Sequence, residues 1–156
     1  MSVWLEAPRF RASGSVLLCL TLASCSGTTT DAGKELAPLV GTWRAQALVL
    51  TNKANPSQSV DLVKEGVVFT LSILASGHYS ATLQAFGQTM PELGRFEVSG
   101  NQFTLTPTSH DGPSTTGTWR FEGEILVLSG DTEYDFNWDG TAQPATVYFE
   151  LYRYTL

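Results

Sequence analysis

The chain has 156 residues, of which 42% are hydrophobic and 15% charged. That suits one domain with its own core; it is too short for two ordinary domains and too apolar for a disordered chain. Nine basic residues against fifteen acidic ones leave a net charge of −6, which argues against nucleic-acid binding, and two Cys and two His leave no room for an ordinary structural zinc centre.

The start of the chain reads as an address. Arg9 and Arg11 precede an apolar run from Val16 to Ala23. The run is well short of the ~20 residues that span a bilayer as a lone helix. A basic start, a short apolar middle and small residues after it predict a secretory signal peptide. Leu22-Ala23-Ser24-Cys25 closes the segment and resembles the lipobox of bacterial lipoproteins. The resemblance implies that Cys25 is acylated and that removal of residues 1–24 leaves it first. The competing reading is an ordinary signal-peptidase site with Cys25 incidental. Ser26 follows the Cys, which in the sorting pattern of such lipoproteins implies the outer membrane.

Removal of residues 1–24 leaves seven basic and fourteen acidic residues, a net charge of −7, and a single Cys. No disulfide can then form, although export would permit one. The expected partner of Cys25 is a lipid membrane, each buried CH₂ contributing about 0.8 kcal/mol, and the expected location is the bacterial cell envelope. From Ser26 to Pro38 the composition is small and polar at first, as in a flexible tether. Lys34–Ala37 allows a single helical turn; the other reading is disorder up to Leu39. The chain thus divides into a signal segment (1–24), a lipidated Cys with its tether (25–38) and a domain (39–156).

Within that domain alternation and turns dominate. Val67, Phe69, Leu71 and Ile73 share one face, and Tyr79, Ala81, Leu83 and Ala85 another, with Ser76-Gly77 between the two runs. Phe96 and Val98 lead through Ser99-Gly100-Asn101 to Phe103 and Leu105. Trp119 and Phe121 lead through Glu122-Gly123-Glu124 to Ile125 and Val127, with Leu126 and Leu128 on the other face. Val147, Phe149 and Leu151 end the pattern, with Tyr148, Tyr152 and Tyr154 opposite. The predicted strands are 41–51, 66–75, 78–86, 93–98, 102–107, 116–122, 124–129 and 146–155.

An internal repeat supports this division. Gly94-Arg-Phe96 and Gly117-Thr-Trp119 each open a strand, a glycine turn and a second strand. Consecutive hairpins build a meander, and a meander of this length removes its edges by closing. The expected fold is all-β, an antiparallel up-and-down barrel of about eight strands. Gly41-Thr42-Trp43, just after a Pro-containing lead, resembles the opening motif of the lipocalins and their bacterial lipocalin-like relatives. The resemblance implies a cup-shaped barrel that often holds an apolar ligand, with Trp43 packed across the closed end against an Arg from a late strand. Arg120 and Arg153 are the candidates.

Catalysis finds little support. His78 and His110 both sit in turn or loop sequence, no nucleophile-elbow motif is present, and no enzyme activity is expected. The sharpest local motif is Asp135-Phe-Asn137-Trp-Asp139-Gly140. Oxygen-bearing side chains at every second position, followed by Gly, form the first half of an EF-hand-like loop. Asp135, Asn137 and Asp139 are the candidate calcium ligands; the Glu expected at the twelfth position is replaced by Thr146. The plain alternative is a turn. No other cofactor is required.

Two functions remain. A ligand-binding barrel would use an interior of Trp43, Phe69, Leu71, Tyr79, Leu83, Phe96 and Phe103 to hold a small hydrophobic molecule, acting as a monomer. A protein-binding envelope lipoprotein, an inhibitor or assembly accessory, would instead have a filled barrel. The lipobox motif makes its own prediction. Expression with a labelled fatty acid should tag the chain, and Cys25→Ala should lose both the tag and the membrane fraction. A soluble, untagged wild type would overturn it.

Overall fold

The computed structural model describes residues 31–155. The predicted signal segment and Cys25 lie outside them. Asp31–Leu36 forms a short helix, α1, and Ala37–Leu39 a single 3₁₀ turn. The lead is therefore helical rather than disordered before Leu39. Pro38 fits because the first residues of a helical turn have no intrahelical partner for an N–H. Leu36 and Leu39 are buried in the main core.

Nine strands follow: β1 (Gly41–Asn52), β2 (Ser59–Asp61), β3 (Val68–Ile73), β4 (His78–Ala85), β5 (Gln88–Ser99), β6 (Gln102–Pro107), β7 (Thr115–Glu122), β8 (Ile125–Tyr134) and β9 (Gln143–Arg153). Strands β3 to β9 pair antiparallel in sequence order, and β1 joins β3 on one side and β9 on the other. The eight-stranded sheet is thus a closed up-and-down barrel, as the turn spacing predicts. Strand β2 is the addition. It pairs with Val49–Thr51 of β1, above the stretch Gly41–Arg44 that β3 occupies.

A single inward face runs round the barrel. Trp43 and Ala45 of β1 stand opposite Arg153 and Leu151 of β9; a bulge between Ala45 and Ala47 then returns Leu48 and Leu50 to the same face, opposite Phe149 and Val147. Leu126 and Leu128 of β8 point inward beside Leu151 and Phe149. Val127, on the other face, is nevertheless fully buried, between Arg120 and Glu150 of the flanking strands. The repeat glycines have a steric reason. A Cβ at Gly94 would stand 2.5 Å from the Tyr79 ring, and one at Gly117 2.6 Å from the Phe103 ring. Each glycine lets an aromatic side chain of the neighbouring strand lie across its own.

Two strands are longer than their sequence suggests. Strand β5 starts at Gln88 rather than at residue 93, and β8 runs to Tyr134 rather than stopping at 129. Pro91 and the polar residues around it read as loop. They are tolerated because β6 ends opposite Gly94, leaving one edge of β5 free beyond that point, where a proline removes no ladder bond. Strand β8 has the same asymmetry, since its pairing with β7 stops at Gly130. The β6–β7 hairpin is therefore the low side of the cup.

The end of the barrel beside α1 is plugged. Trp43 is 1% exposed, and its Nε1–H donates to the Leu39 carbonyl at 2.8 Å. The Arg153 guanidinium lies over the indole, 4.4 Å from the ring centroid, and donates to the Val40 and Pro38 carbonyls at 2.9 and 3.1 Å. Of the two candidate arginines it is Arg153 that meets Trp43; Arg120 instead pairs with Glu122 on the outer surface. Gly41 makes the approach possible. Its φ is +143°, and a Cβ there would stand 2.6 Å from Arg153 Nη1. Trp43→Ala should cost about 3–5 kcal/mol, the usual range for emptying a packed aromatic site. Urea unfolding at constant slope measures it, and a loss below about 1 kcal/mol would mean that the plug is not structural.

Candidate functional site

The opposite end is open, and its interior falls into adjoining spaces. The inner chamber holds roughly 210 Å³ between Phe69, Leu71, Ala81, Phe103, Leu128 and Phe149, with Glu92 and Leu105 on its low side. It is hollow because small residues stand at this level: Ala81 on β4 and Gly130 on β8. Phe69 and Phe149 meet across it with ring centroids 4.9 Å apart. A space of about 400 Å³ beside Glu92 and His110 leads outward past Leu83 and Met90. The mouth, about 750 Å³, lies between Val60, Leu62 and Val67 on one side and Phe86, Met90, Tyr134 and Trp138 on the other. These spaces share lining residues, Leu83 and Met90 at the mouth and Phe69, Ala81 and Glu92 further in. Their size and apolar walls match ordinary small-molecule sites.

The sequence-predicted interior residues divide into two groups. Phe69, Leu71, Leu83 and Phe103 line these spaces. Trp43, Tyr79 and Phe96 are packed into the core cluster towards the plugged end and face none of the three. The residue that sequence reading missed is Glu92. It shares the inward parity of Gly94 and Phe96, opposite Ala81, but Pro91 hid the strand that carries it.

Glu92 has built partners. The buried Tyr79 hydroxyl donates to its Oε1 at 2.5 Å, and Nε2 of His110 lies 3.2 Å from Oε2. Burial, then the hydrogen bond and charge of Glu92, push the Tyr79 phenol well above its usual range, so the hydroxyl stays a donor at any physiological pH. His110 is held near the notch by the β6–β7 loop. There the Thr108 and Ser109 amides donate to the Leu93 carbonyl, and the Ser109 hydroxyl accepts from the Leu93 amide.

The Asp135–Gly140 segment is the β8–β9 loop at the mouth. Asp135 Oδ1 accepts from the Asn137 and Asp139 amides and Oδ2 from the Gly140 amide, the last at 2.7 Å. Asp139 Oδ1 accepts from the Thr141 amide at 2.8 Å, and Asn137 Oδ1 accepts from Gln58 Nε2. Each of the three side chains thus has a hydrogen-bond partner, within the loop for Asp135 and Asp139 and on Gln58 for Asn137. Among the described residues no group of three or more His, Cys, Asp or Glu is gathered for a metal ion. No family model matches the chain, and neither a curated protein nor a solved structure matches it.

Desolvation alone would raise the Asp135 carboxyl, but the backbone amides of Gly140, Asp139, Asn137 and Trp138 outweigh it and hold it below the ordinary 3.8. The folded value is thus the lower one. The carboxylate's contribution to stability is full above the unfolded value and is lost as pH falls through the folded one. The melting temperature of the wild type should therefore drop more steeply than that of Asp135→Asn below about pH 4. A calcium series from zero to about 10 mM, above the affinity range of extracellular sites, tests the same loop for a metal, and a flat series would leave it a plain turn. A rise with calcium that Asp135→Ala removes would instead assign the loop to the metal.

Proposed function

We propose that the chain is an exported, lipocalin-like barrel, anchored in the bacterial envelope through acylated Cys25, that holds a small apolar molecule in its open end. The observation that carries the reading is the aromatic-walled chamber, which adjoins the mouth by way of the side space and lies above the end closed by Trp43 and Arg153. The lipobox-like tetrad supplies the anchor, and its membrane attachment is the lipid itself. Among the described residues no helix is long and apolar enough to cross a membrane. The reading assigns no catalytic step to the chain.

One observation favours a second reading, a protein partner at the rim. Phe86 and Trp138 are 86% and 76% exposed. Among the described residues they are the non-glycine ones with positive φ, +51° and +56°, a conformation that holds a side chain at a cost of about 1–3 kcal/mol. Both stand at the mouth.

An uncharged environment-sensitive dye, N-phenyl-1-naphthylamine, separates the two. On the ligand reading it binds the chain saturably, and Ala81→Phe, which fills the chamber wall, weakens binding by about ten-fold or more, the effect of losing one well-packed ring site. Trp138→Ser and Phe86→Ser should change the affinity less than Ala81→Phe does. No saturable binding to the wild type, or equal binding by Ala81→Phe, would overturn the ligand reading in favour of the rim.

A further inference from the structure

The chamber is apolar, yet its low side carries a carboxylate. Glu92 faces the inner chamber and the side space at once, and its side chain is 36% exposed. An ionised carboxylate offers about four lone-pair sites. Tyr79 and His110 take one on each oxygen, which leaves acceptor capacity open towards the cavity. A carboxylate beside hydrocarbon walls is costly unless it is paired.

The permanently charged side chains around it have one sign. Across the chamber, the side space and the mouth, the lining contains no Lys or Arg. It contains Glu92 and Glu65, together with His110, whose ring already contacts Glu92. Asp131 also borders the chamber, but its carboxylate is tied outward to Lys53 at 2.7 Å. An anionic ligand would therefore enter against a negative field with no cation to receive it. A cation meets the opposite. It finds an acceptor at Glu92 and ring faces at Phe69, Phe149 and Tyr134, and such faces attract positive charge.

We infer that the ligand of this barrel is a cationic amphiphile: an apolar body in the chamber, carrying an ammonium group that donates to Glu92 at the notch. The inference rests on the ligand reading above and narrows it to a chemical class. The ammonium group has three donors and no acceptor. It therefore suits a carboxylate whose two oxygens already hold one donor each and still have free lone pairs. Tyr79 and His110 act as positioning residues, fixing the carboxylate so that its free edge faces the apolar space. Charge-assisted hydrogen bonds of this kind are roughly twice as strong as neutral ones.

Three probes of equal chain length test it: decylammonium chloride, decanol and sodium decanoate, each displacing the naphthylamine dye from the full chain with Cys25→Ser. Decylammonium should bind at least about ten-fold tighter than decanol, as a charge-assisted hydrogen bond implies, and decanoate should bind weakest. Glu92→Gln should shrink the gap between decylammonium and decanol, whereas Glu97→Gln, on the outer face of β5, should leave it. Equal affinity for the three probes, a preference for decanoate, or an ammonium preference that survives in Glu92→Gln would overturn the assignment while dye binding stands. If the dye itself does not bind, the ligand reading fails, and this inference with it. The ranking of probes on the unsubstituted barrel decides the matter even where Glu92→Gln does not fold.

Discussion

The closure of the barrel depends on what Arg153 does at the far end of the sequence from the residues it touches. Its guanidinium spans from the Trp43 ring to the carbonyls of Pro38 and Val40. Three otherwise unrelated pieces meet there: the helical lead, the first strand and the last. Trp43 is fixed from two directions, by the Leu39 carbonyl in the ring plane and by the cation over the ring face. The contact joins residues 115 positions apart. A native state that needs such pairing bears a large loop-closure entropy before any of it is returned. Neither end of the sheet is protected until β9 reaches β1, so the sheet edges stay exposed in any partly formed state.

Plugging one end decides where the empty space lies. Towards the plug the inward side chains are large, with Trp43, Tyr79 and Phe96 filling the section. Higher up, Ala81 and Gly130 replace them, and the section cannot fill. The short β6–β7 hairpin then lowers one wall. These features have a common cause in strand length and residue size, and together they set a carboxylate at the lowered wall, where the inner chamber and the side space adjoin. Glu92 stands where the notch is partly solvated, and Tyr79 and His110 contact its two carboxylate oxygens.

Much of the barrel was legible as period-two alternation. The inward sets Phe69-Leu71-Ile73, Phe96-Val98 and Val147-Phe149-Leu151 are all read correctly from parity. Strand β6 matches its predicted range. Where neighbouring residues were all apolar, parity lost its meaning: Leu126, Val127 and Leu128 are each almost fully buried, and only the register separates inside from outside. Strand β2 was illegible because three residues of mixed polarity carry no period. The chamber was half legible. Sequence alternation identifies which residues point inward, but not the height at which they stand, so Tyr79 and Phe96 could not be told from Phe69 and Phe103. Glu92 was hidden for a different reason: a proline beside it signals loop, and only the missing β6 partner explains why a strand tolerates it.

The two ends of the barrel have different relations to the start of the chain. Helix α1 begins at Asp31 and packs at the plugged end. Six peptide steps separate Asp31 from Cys25, a reach of at most about 20 Å when fully extended. On the envelope reading proposed above, the acyl chains would hold the plugged end close to the anchoring membrane. The mouth, with Phe86 and Trp138 on its rim, would then face away from it. A ligand would come from the aqueous space or from whatever lies across it rather than from the anchoring bilayer directly beneath. Free solution disfavours a wholly apolar molecule, whereas an amphiphile with a charged head is present there as a monomer in appreciable amount. On that reading a charged amphiphile of either sign reaches the mouth more readily than a wholly apolar molecule does, and the sign of its head is decided at the notch by Glu92.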